Sequence, residues 1–332
     1  MELRGRSVLV TGADGFIGSH LVEALLAEGA EVRAFVWYNP FNAWGCLDLL
    51  PRSVLAGVEV VPGDIRDPGD VEAAAHGTSA IFHLAALVGI PFSYRSPAAY
   101  VATNVGGTLH VLEAARKLDI ERTVVASSSE VYGTARYVPM DEAHPHQAQS
   151  PYAATKIAAD RLAESYHRSF GLPIVVVRPF NTYGPRQSAR AVIPTIAAQL
   201  LAGRGEVRLG SLEPRRDFTY VRDTARAFIA AARCDGAIGQ DLNAASGRDI
   251  SIGELAGLLA AKIDPAARVC SDAQRMRPRG SEVERLLGSS AKLRALAGWA
   301  PEWDLERGLD ETVAWLREPA NLRRYRAEVY NL

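Results

Sequence analysis

The chain is poor in cysteine: Cys46, Cys234 and Cys270 stand alone among 332 residues. A sparse, odd set with no close pair excludes a disulfide framework and points to a reducing cytosol. No stretch reaches the roughly 18 uninterrupted apolar residues of a membrane span, because Arg, Glu and Asp break the Ala-rich runs every few residues. Residues 1–7 are charged and no apolar signal-peptide core follows them, so a cytoplasmic protein is expected. Neither sign of charge is in excess: 37 Lys and Arg face 38 Asp and Glu, a net charge of −1. Nucleic acid is therefore not an expected partner, and neither is a membrane. The histidines, including the loop pair His144 and His146, lack ligand company, so no metal is expected. Internal repeats, low-complexity tracts and a flexible linker are also missing.

Strand-like apolar runs alternate with amphipathic ones. Runs at 8–10, 32–36, 58–61, 80–84, 123–126 and 174–177 read as strands, and 16–28, 105–118 and 151–170 as helices. Ile17, Leu21, Leu25 and Leu26 share one face of the first helix, and Ser150-Pro151 caps and opens the last. Strands separated by helices imply a parallel sheet covered on both faces. Beyond Arg178 the prolines Pro179, Pro185, Pro194 and Pro214 disturb this rhythm. The expected architecture is an α/β fold: a Rossmann doubly wound parallel sheet with a smaller, interleaved C-terminal substrate-binding lobe. The large domain is expected over 1–179 plus roughly 217–246, and the lobe over 180–216 plus roughly 247–325.

The first strand runs into Thr11-Gly12-Ala13-Asp14-Gly15-Phe16-Ile17-Gly18. Gly12, Gly15 and Gly18 allow a tight turn and close approach of backbone to a pyrophosphate. The helix opening at Phe16 and Ile17 aims its free amides at the same place. A ligand-free turn has the same composition, but placement between a strand and a helix favours a dinucleotide. Asp64 and Ile65, after the third strand, suit adenine recognition through a carboxylate and a backbone amide. Ala85, in His83-Leu84-Ala85-Ala86, leaves room beside the fourth strand. One usual feature is missing. NAD sites commonly carry an acid about 20 residues after the glycines to hold the ribose diol, whereas the second strand ends in Val36-Trp37-Tyr38-Asn39. No arginine cluster for a 2′-phosphate stands there either. NAD is the expected cofactor, with NADP open. Trp37, Phe41 and Trp44 either cover that cofactor or pack in the ordinary way.

Tyr152 and Lys156 are spaced to share a helix face, one turn apart. An ammonium there would lower a tyrosine pKa that starts near ~10. Tyr152 can then take the proton of a sugar hydroxyl while hydride leaves the same carbon. Most Tyr-x-x-x-Lys pairs sit on surface helices. The order here is far more specific: the glycine turn, then Ser127-Ser128-Ser129-Glu130 at a strand's carboxyl end, then Tyr152 and Lys156.

Further motifs follow in order: Asn104, Arg178-Pro-Phe-Asn-Thr-Tyr-Gly-Pro-Arg186, Arg216-Asp-Phe-Thr-Tyr-Val-Arg-Asp223 and Gly298-Trp299. With them the chain, from Val8 to about Trp303, resembles the extended short-chain dehydrogenase/reductases in their nucleotide-sugar epimerase/dehydratase branch. The resemblance implies that Tyr152 is the base, that Lys156 holds the nicotinamide ribose, and that Ser128 hydrogen-bonds the same sugar hydroxyl. It implies Asn104 at the cofactor, and Asn181, Arg216 and Arg277 at the nucleotide diphosphate of a nucleotide-sugar substrate. It also implies a homodimer formed through the helices over 105–118 and 151–170.

Glu130 bears on the reaction. A 4-epimerase removes a hydride and returns it to the other face, and needs no second base. A 4,6-dehydratase must also take the C5 proton once C4 is a ketone, then expel the C6 hydroxyl. The family's dehydratases carry an acid at the place of Glu130. Some of them carry Asp at the next position back, where this chain has Ser129 as the GDP-mannose-type dehydratases do; Ser129 is counted with the catalytic residues, and the donor to the departing hydroxyl stays open. The segment over 38–45 and the Ser127–Thr134 motif look like bacterial N-acetylhexosamine 4,6-dehydratases of the legionaminic-acid type. The leading expectation is therefore a 4,6-dehydratase of a UDP- or GDP-linked hexose or N-acetylhexosamine. A UDP-sugar 4-epimerase and a UDP-glucuronate decarboxylase are the enzyme alternatives, and an inactive cofactor-binding scaffold is the non-enzyme one.

Overall fold

Val8, Leu9 and Val10 are all buried, as a strand covered on both faces requires. The computed structural model describes residues 1–203 and 205–330. Its large sheet holds β1 (Ser7–Thr11), β2 (Glu31–Trp37), β3 (Val58–Gly63), β4 (Ala80–His83), β5 (Arg122–Ala126) and β6 (Ile174–Pro179). The strand Asp241–Ala244 adds beside β6, giving the order Asp241–Ala244, β6, β5, β4, β1, β2, β3. Every neighbouring pair is parallel.

Alternation along each strand divides the interior into two cores. Val8, Val10, Ala80, Phe82, Val175 and Val177 face one side. Leu9, Ile81 and Val176 face the other. The first side is covered by Phe16–Ala27 and Val221–Arg233, which contribute Leu21, Leu25, Ala225 and Phe228. The second is covered by Pro68–Ala75, Gly107–Lys117 and Pro151–Phe170, through Val71, Leu112 and Ala163. The doubly wound parallel sheet is as expected.

The helix Pro151–Phe170 has the expected bounds: the Ser150 hydroxyl accepts from the Ala153 N–H at 3.1 Å, and Gly171 closes it in the left-handed region at φ +70°. The helix expected over 105–118 differs. Val101–Gly106 is π-helical, and α geometry runs over Gly107–Lys117. Asn104 sits in the widened turn. Its amide accepts from the Leu87 N–H at 2.8 Å, and donates to the Leu87 carbonyl and the Thr155 hydroxyl, both at 3.0 Å. Such turns recur at functional sites.

A second sheet combines Asn181–Tyr183, Arg215–Tyr220, Asp249–Ser251 and Arg285–Leu286, and Glu206–Leu209 pairs with Arg268–Ser271. Val192–Leu201, Ile252–Ile263 and Leu305–Arg317 share one core with these strands, built on Ile196, Phe218, Leu255 and Leu309. The chain returns to the large sheet through Val221–Arg233. All three cysteines are free. Among the described residues no helix is long and apolar enough to cross a membrane.

One polar knot ties the sheet to the segments that carry the candidate site. Arg178, fully buried on β6, donates to Asp160 at 3.0 Å, to the Tyr132 hydroxyl at 3.0 Å and to Asp241 at 2.5 Å. Tyr132 and Asp160 are buried too. Removing the cation would strand the Asp160 carboxylate without water, so Arg178→Met should cost about 3–5 kcal/mol of stability. Urea melts of the two proteins measure this. A loss within about 0.5 kcal/mol, the scale of an ordinary surface change, would refute the role.

Candidate active site

β1 ends at Thr11, and the chain must turn there without striking the end of β4. Gly12 makes the turn at φ +69°, where a Cβ would lie 2.7 Å from the Ala85 nitrogen. A Cβ at Gly18 would lie 2.1 Å from the Gly12 carbonyl oxygen, so the helix Phe16–Ala27 can start this close to β1 only with glycine there. The turn, Ala85, the end of β2 and the segment after β3 then border one cavity of about 610 Å³.

His83 locks this region from beneath. The Thr108 hydroxyl donates to the Asn104 carbonyl at 2.6 Å, so it accepts from His83 Nε2–H at 3.0 Å. The Thr11 hydroxyl accepts from the Leu84 and Ala85 amides at 3.2 Å, and donates to His83 Nδ1 at 2.8 Å. Every group is satisfied only by the neutral ring. Burial first, and the nearby Lys156 second, push the His83 pKa down to about 3.

The far half of the cavity carries Ser128, Ser129, Glu130, Tyr152 and Lys156. Ser128 is in extended backbone at the end of β5, and its hydroxyl accepts from the Glu130 N–H at 3.2 Å. Ser128 is near enough to Tyr152 to pull its pKa down. The Tyr152 ring is buried and meets Tyr100 edge to face at 6.3 Å. Lys156, one helical turn on, donates to the Ala126 carbonyl at 2.5 Å. Burial brings its pKa down to about 8, against the pull of Asp160. Glu130 is partly exposed into the cavity. Among the described residues its carboxylate makes no hydrogen bond or ion pair.

One expectation needs correction. Lysine was expected to lower the Tyr152 pKa, but in this arrangement the pKa is raised. The physical reason is burial of the phenol, the largest cause; Ser128 works the other way, and the negative charge of Glu130 adds to the rise. The Lys156 ammonium donates to a β5 carbonyl.

Not every expected residue lines this cavity. Gly12, Gly15, Phe16, Ile17, Gly18, Ile65 and Ala85 do. Asn104 does not: it is buried and acts through the Leu87 backbone. Asp64 does not either; its carboxylate is held by Arg66, which does line the cavity. Trp37 borders the cavity beneath the Arg66 guanidinium, 5.0 Å from the ring centre. Trp44 packs on the core, and Phe41 is exposed.

Asn181, Arg216 and Arg277 meet in a second cavity of about 240 Å³, which shares Asn181 and Thr182 with the first. The Asn181 side-chain oxygen is buried without a partner. Arg216 is buried and donates to Glu282 at 3.1 Å. Arg277 Nη1 lies 3.8 Å from the same carboxylate and makes no hydrogen bond. Arg216 also feels the Glu130 carboxylate, yet with Arg190, Arg275 and Arg277 beside Glu282 the lining stays cationic, suited to an anion. Sequence reasoning missed Asp14, Arg66, His83, Arg178 and Glu282. Of these Asp14, His83 and Arg178 lay inside motifs already singled out.

A family model described as GDP-mannose 4,6 dehydratase matches residues 9–312. A dTDP-glucose 4,6-dehydratase of Streptomyces niveus is 34% identical over 321 residues, 94% of this chain and 93% of that protein. A putative UDP-glucose 4-epimerase of Methanocaldococcus jannaschii is 31% identical over 315 residues, 93% and 98% of the two chains. The solved structure of DesIV, a dTDP-glucose 4,6-dehydratase from Streptomyces venezuelae with NAD bound, superposes with a TM-score of 0.82. It is 31% identical, with 94% of this chain and 97% of that one covered.

The His83 network predicts a pH dependence of stability. The folded ring takes a proton only near pH 3, whereas the unfolded ring takes one near 6.5. Its contribution is therefore complete above pH 6.5 and is lost as the pH falls from 6.5 towards 3. Urea melts from pH 7 to 4 should show falling stability, and His83→Gln should flatten the slope. An unchanged slope would assign the acid sensitivity elsewhere.

Proposed function

The chain belongs to the GDP-mannose 4,6-dehydratase family within the extended short-chain dehydrogenase/reductases, and from that premise we propose a nucleotide-sugar 4,6-dehydratase working in a reducing cytosol. Its substrate would be a UDP- or GDP-linked hexose or N-acetylhexosamine. The observation that carries this reading is the Glu130 carboxylate. It faces the same cavity as Ser128 and Tyr152, and among the described residues no hydrogen bond or ion pair holds it, with the Arg216 guanidinium near enough to feel its charge. An epimerase needs no such base; a dehydratase does.

The glycine turn and the helix N-terminus at Phe16 fit the pyrophosphate of NAD, which the DesIV structure contains. Bound there, NAD⁺ would supply a hydride acceptor for C4 and a hydride donor for C6, so the net cycle would be redox-neutral. Tyr152 takes the C4 hydroxyl proton, with Ser128 holding that oxygen and Lys156 beside the tyrosine. Glu130 then removes the C5 proton, made acidic by the C4 ketone, the C6 hydroxyl leaves as water with one of the two protons taken up, and the other returns to C5 as hydride reaches C6. Arg216, Arg277 and Asn181 hold the diphosphate in the second cavity. The working form would be a homodimer, whose contact includes the exposed Val101, Leu109 and Phe170 on or beside the two paired helices.

Glu130→Gln should bind substrate and accumulate reduced cofactor, visible in absorbance, yet release about 10²–10⁴-fold less 4-keto-6-deoxy product. Tyr152→Phe should block both steps. Product mass reads the outcome on UDP- and GDP-sugars: loss of water marks a dehydratase and loss of carbon dioxide a decarboxylase. Near-parental turnover with no mass change in the product would move the assignment to 4-epimerase. Light scattering tests the dimer; a monomer at micromolar concentration would sink it.

A further inference from the structure

The cavity has a ribose end without the usual acid. β2 closes on Trp37 and no carboxylate follows in Tyr38 and Asn39. A carboxylate does reach this place from another element. Asp14, between the first two glycines, turns its side chain across to β2, where Oδ2 accepts the Trp37 N–H at 3.2 Å. The residue lines the cavity beside Trp37 and Gly15. Among the described residues its other carboxylate oxygen bonds no other residue.

The backbone of Asp14 is fixed from outside. Its carbonyl accepts the Cys46 N–H at 2.8 Å. Gly45, at φ +58°, permits that contact, since a Cβ there would lie 2.5 Å from the Asp14 oxygen. The carboxylate is therefore presented by a held turn.

The charges at this end can be counted. Arg66 is its one cation among the described lining residues. Arg66 Nε spans both oxygens of Asp64 at 2.9 and 3.0 Å, and Nη2 donates to Oδ2 at 2.5 Å. With one edge of its fork on Asp64, Arg66 has its charge matched there, and the pair brings no net positive charge to an incoming anion. Asp14 is left as the uncompensated charge. A ribose diol donates hydrogen bonds and suits such a carboxylate. A 2′-phosphate brings close to two negative charges and only acceptors, and meets repulsion.

We infer that Asp14 does the work of the missing acid at the end of β2: it accepts the adenosine ribose hydroxyl and excludes a 2′-phosphate, making the site selective for NAD⁺ over NADP⁺. This rests on the dinucleotide reading of the cavity. Burial holds the Asp14 carboxyl above its usual range, a state that hydroxyl donors would relieve.

The test is retention by the full-length chain. Parent, Asp14→Asn and Asp14→Ala are equilibrated with equal NAD⁺ and NADP⁺, freed of unbound nucleotide by gel filtration, and analysed by chromatography of what they carry. The parent should retain chiefly NAD⁺. In both variants the ratio of NADP⁺ to NAD⁺ should rise about tenfold or more, the scale of one charge-assisted hydrogen bond. Asn keeps the shape and the acceptor for Trp37, so it separates charge from folding. An unchanged ratio in Asp14→Asn overturns the assignment while leaving the dinucleotide site intact. A parent that prefers NADP⁺ overturns it as well. A parent that retains neither dinucleotide removes the cavity reading, and this inference with it.

Discussion

The candidate site depends on a cation that never sees solvent. Arg178 lies on β6 inside the sheet and holds a different piece of chain with each nitrogen: the helix Pro151–Phe170 at Asp160, the turn behind Glu130 at Tyr132, and the edge strand Asp241–Ala244 at Asp241. A buried guanidinium is tolerable only when each donor is used and its charge is matched. Asp160 is also one helical turn beyond Lys156, and each feels the other's charge. A single ladder thus runs from Arg178 through Asp160 to Lys156 and the Ala126 carbonyl. It fixes how the helix Pro151–Phe170 is set against β5, and hence where Tyr152 stands relative to Ser128.

The second sheet is held by the same kind of device with the sign reversed. Asp217 is fully buried and accepts from the Ser246 and Gly247 amides at 2.9 and 3.0 Å, and from the Gly288 amide at 3.1 Å. Burial pushes its pKa up to about 6, and those hydrogen bonds pull back. Its neighbour Arg216 points the other way, into the second cavity. Alternation on one strand therefore gives adjacent residues opposite directions: Asp217 anchors the strand to the loop after Asp241–Ala244 and to Gly288, and Arg216 borders the second cavity. Asp223 repeats the theme at 2.9 and 3.0 Å to the Trp303 and Glu302 amides, tying the final helical segment to the helix that returns to the sheet.

Local chemistry was legible in the sequence. The glycine turn, the parallel strands and the helix Pro151–Phe170, with its serine cap and glycine stop, follow from residues a few positions apart. So does the convergence of Ser128, Glu130, Tyr152 and Lys156, which needs only a strand end and a helix start on the same edge of the sheet. What could not be read depends on distant partners. Arg178 meets Tyr132 across 46 positions and Asp241 across 63. Asn104 reads as a cofactor contact by motif, yet its π-helical turn directs it to Leu87. Asp14 looks like any loop acid until the end of β2 is folded beside it.

The direction of the Tyr152 shift shows the limit of spacing as an argument. A tyrosine and a lysine one turn apart suggest a stabilised phenolate, because a pair seen in sequence has no surroundings. In the fold, both lie out of water. The same exclusion raises the tyrosine and lowers the lysine, so each is driven towards its neutral form. Glu130 deepens the effect at Tyr152. The arrangement therefore resists ionising the tyrosine until compensating positive charge or hydrogen-bond donors enter the cavity with its ligands. That resistance suits a base which must act only on a bound sugar: the dry pocket that makes the phenolate costly when alone also strengthens every interaction that stabilises it once the site is filled.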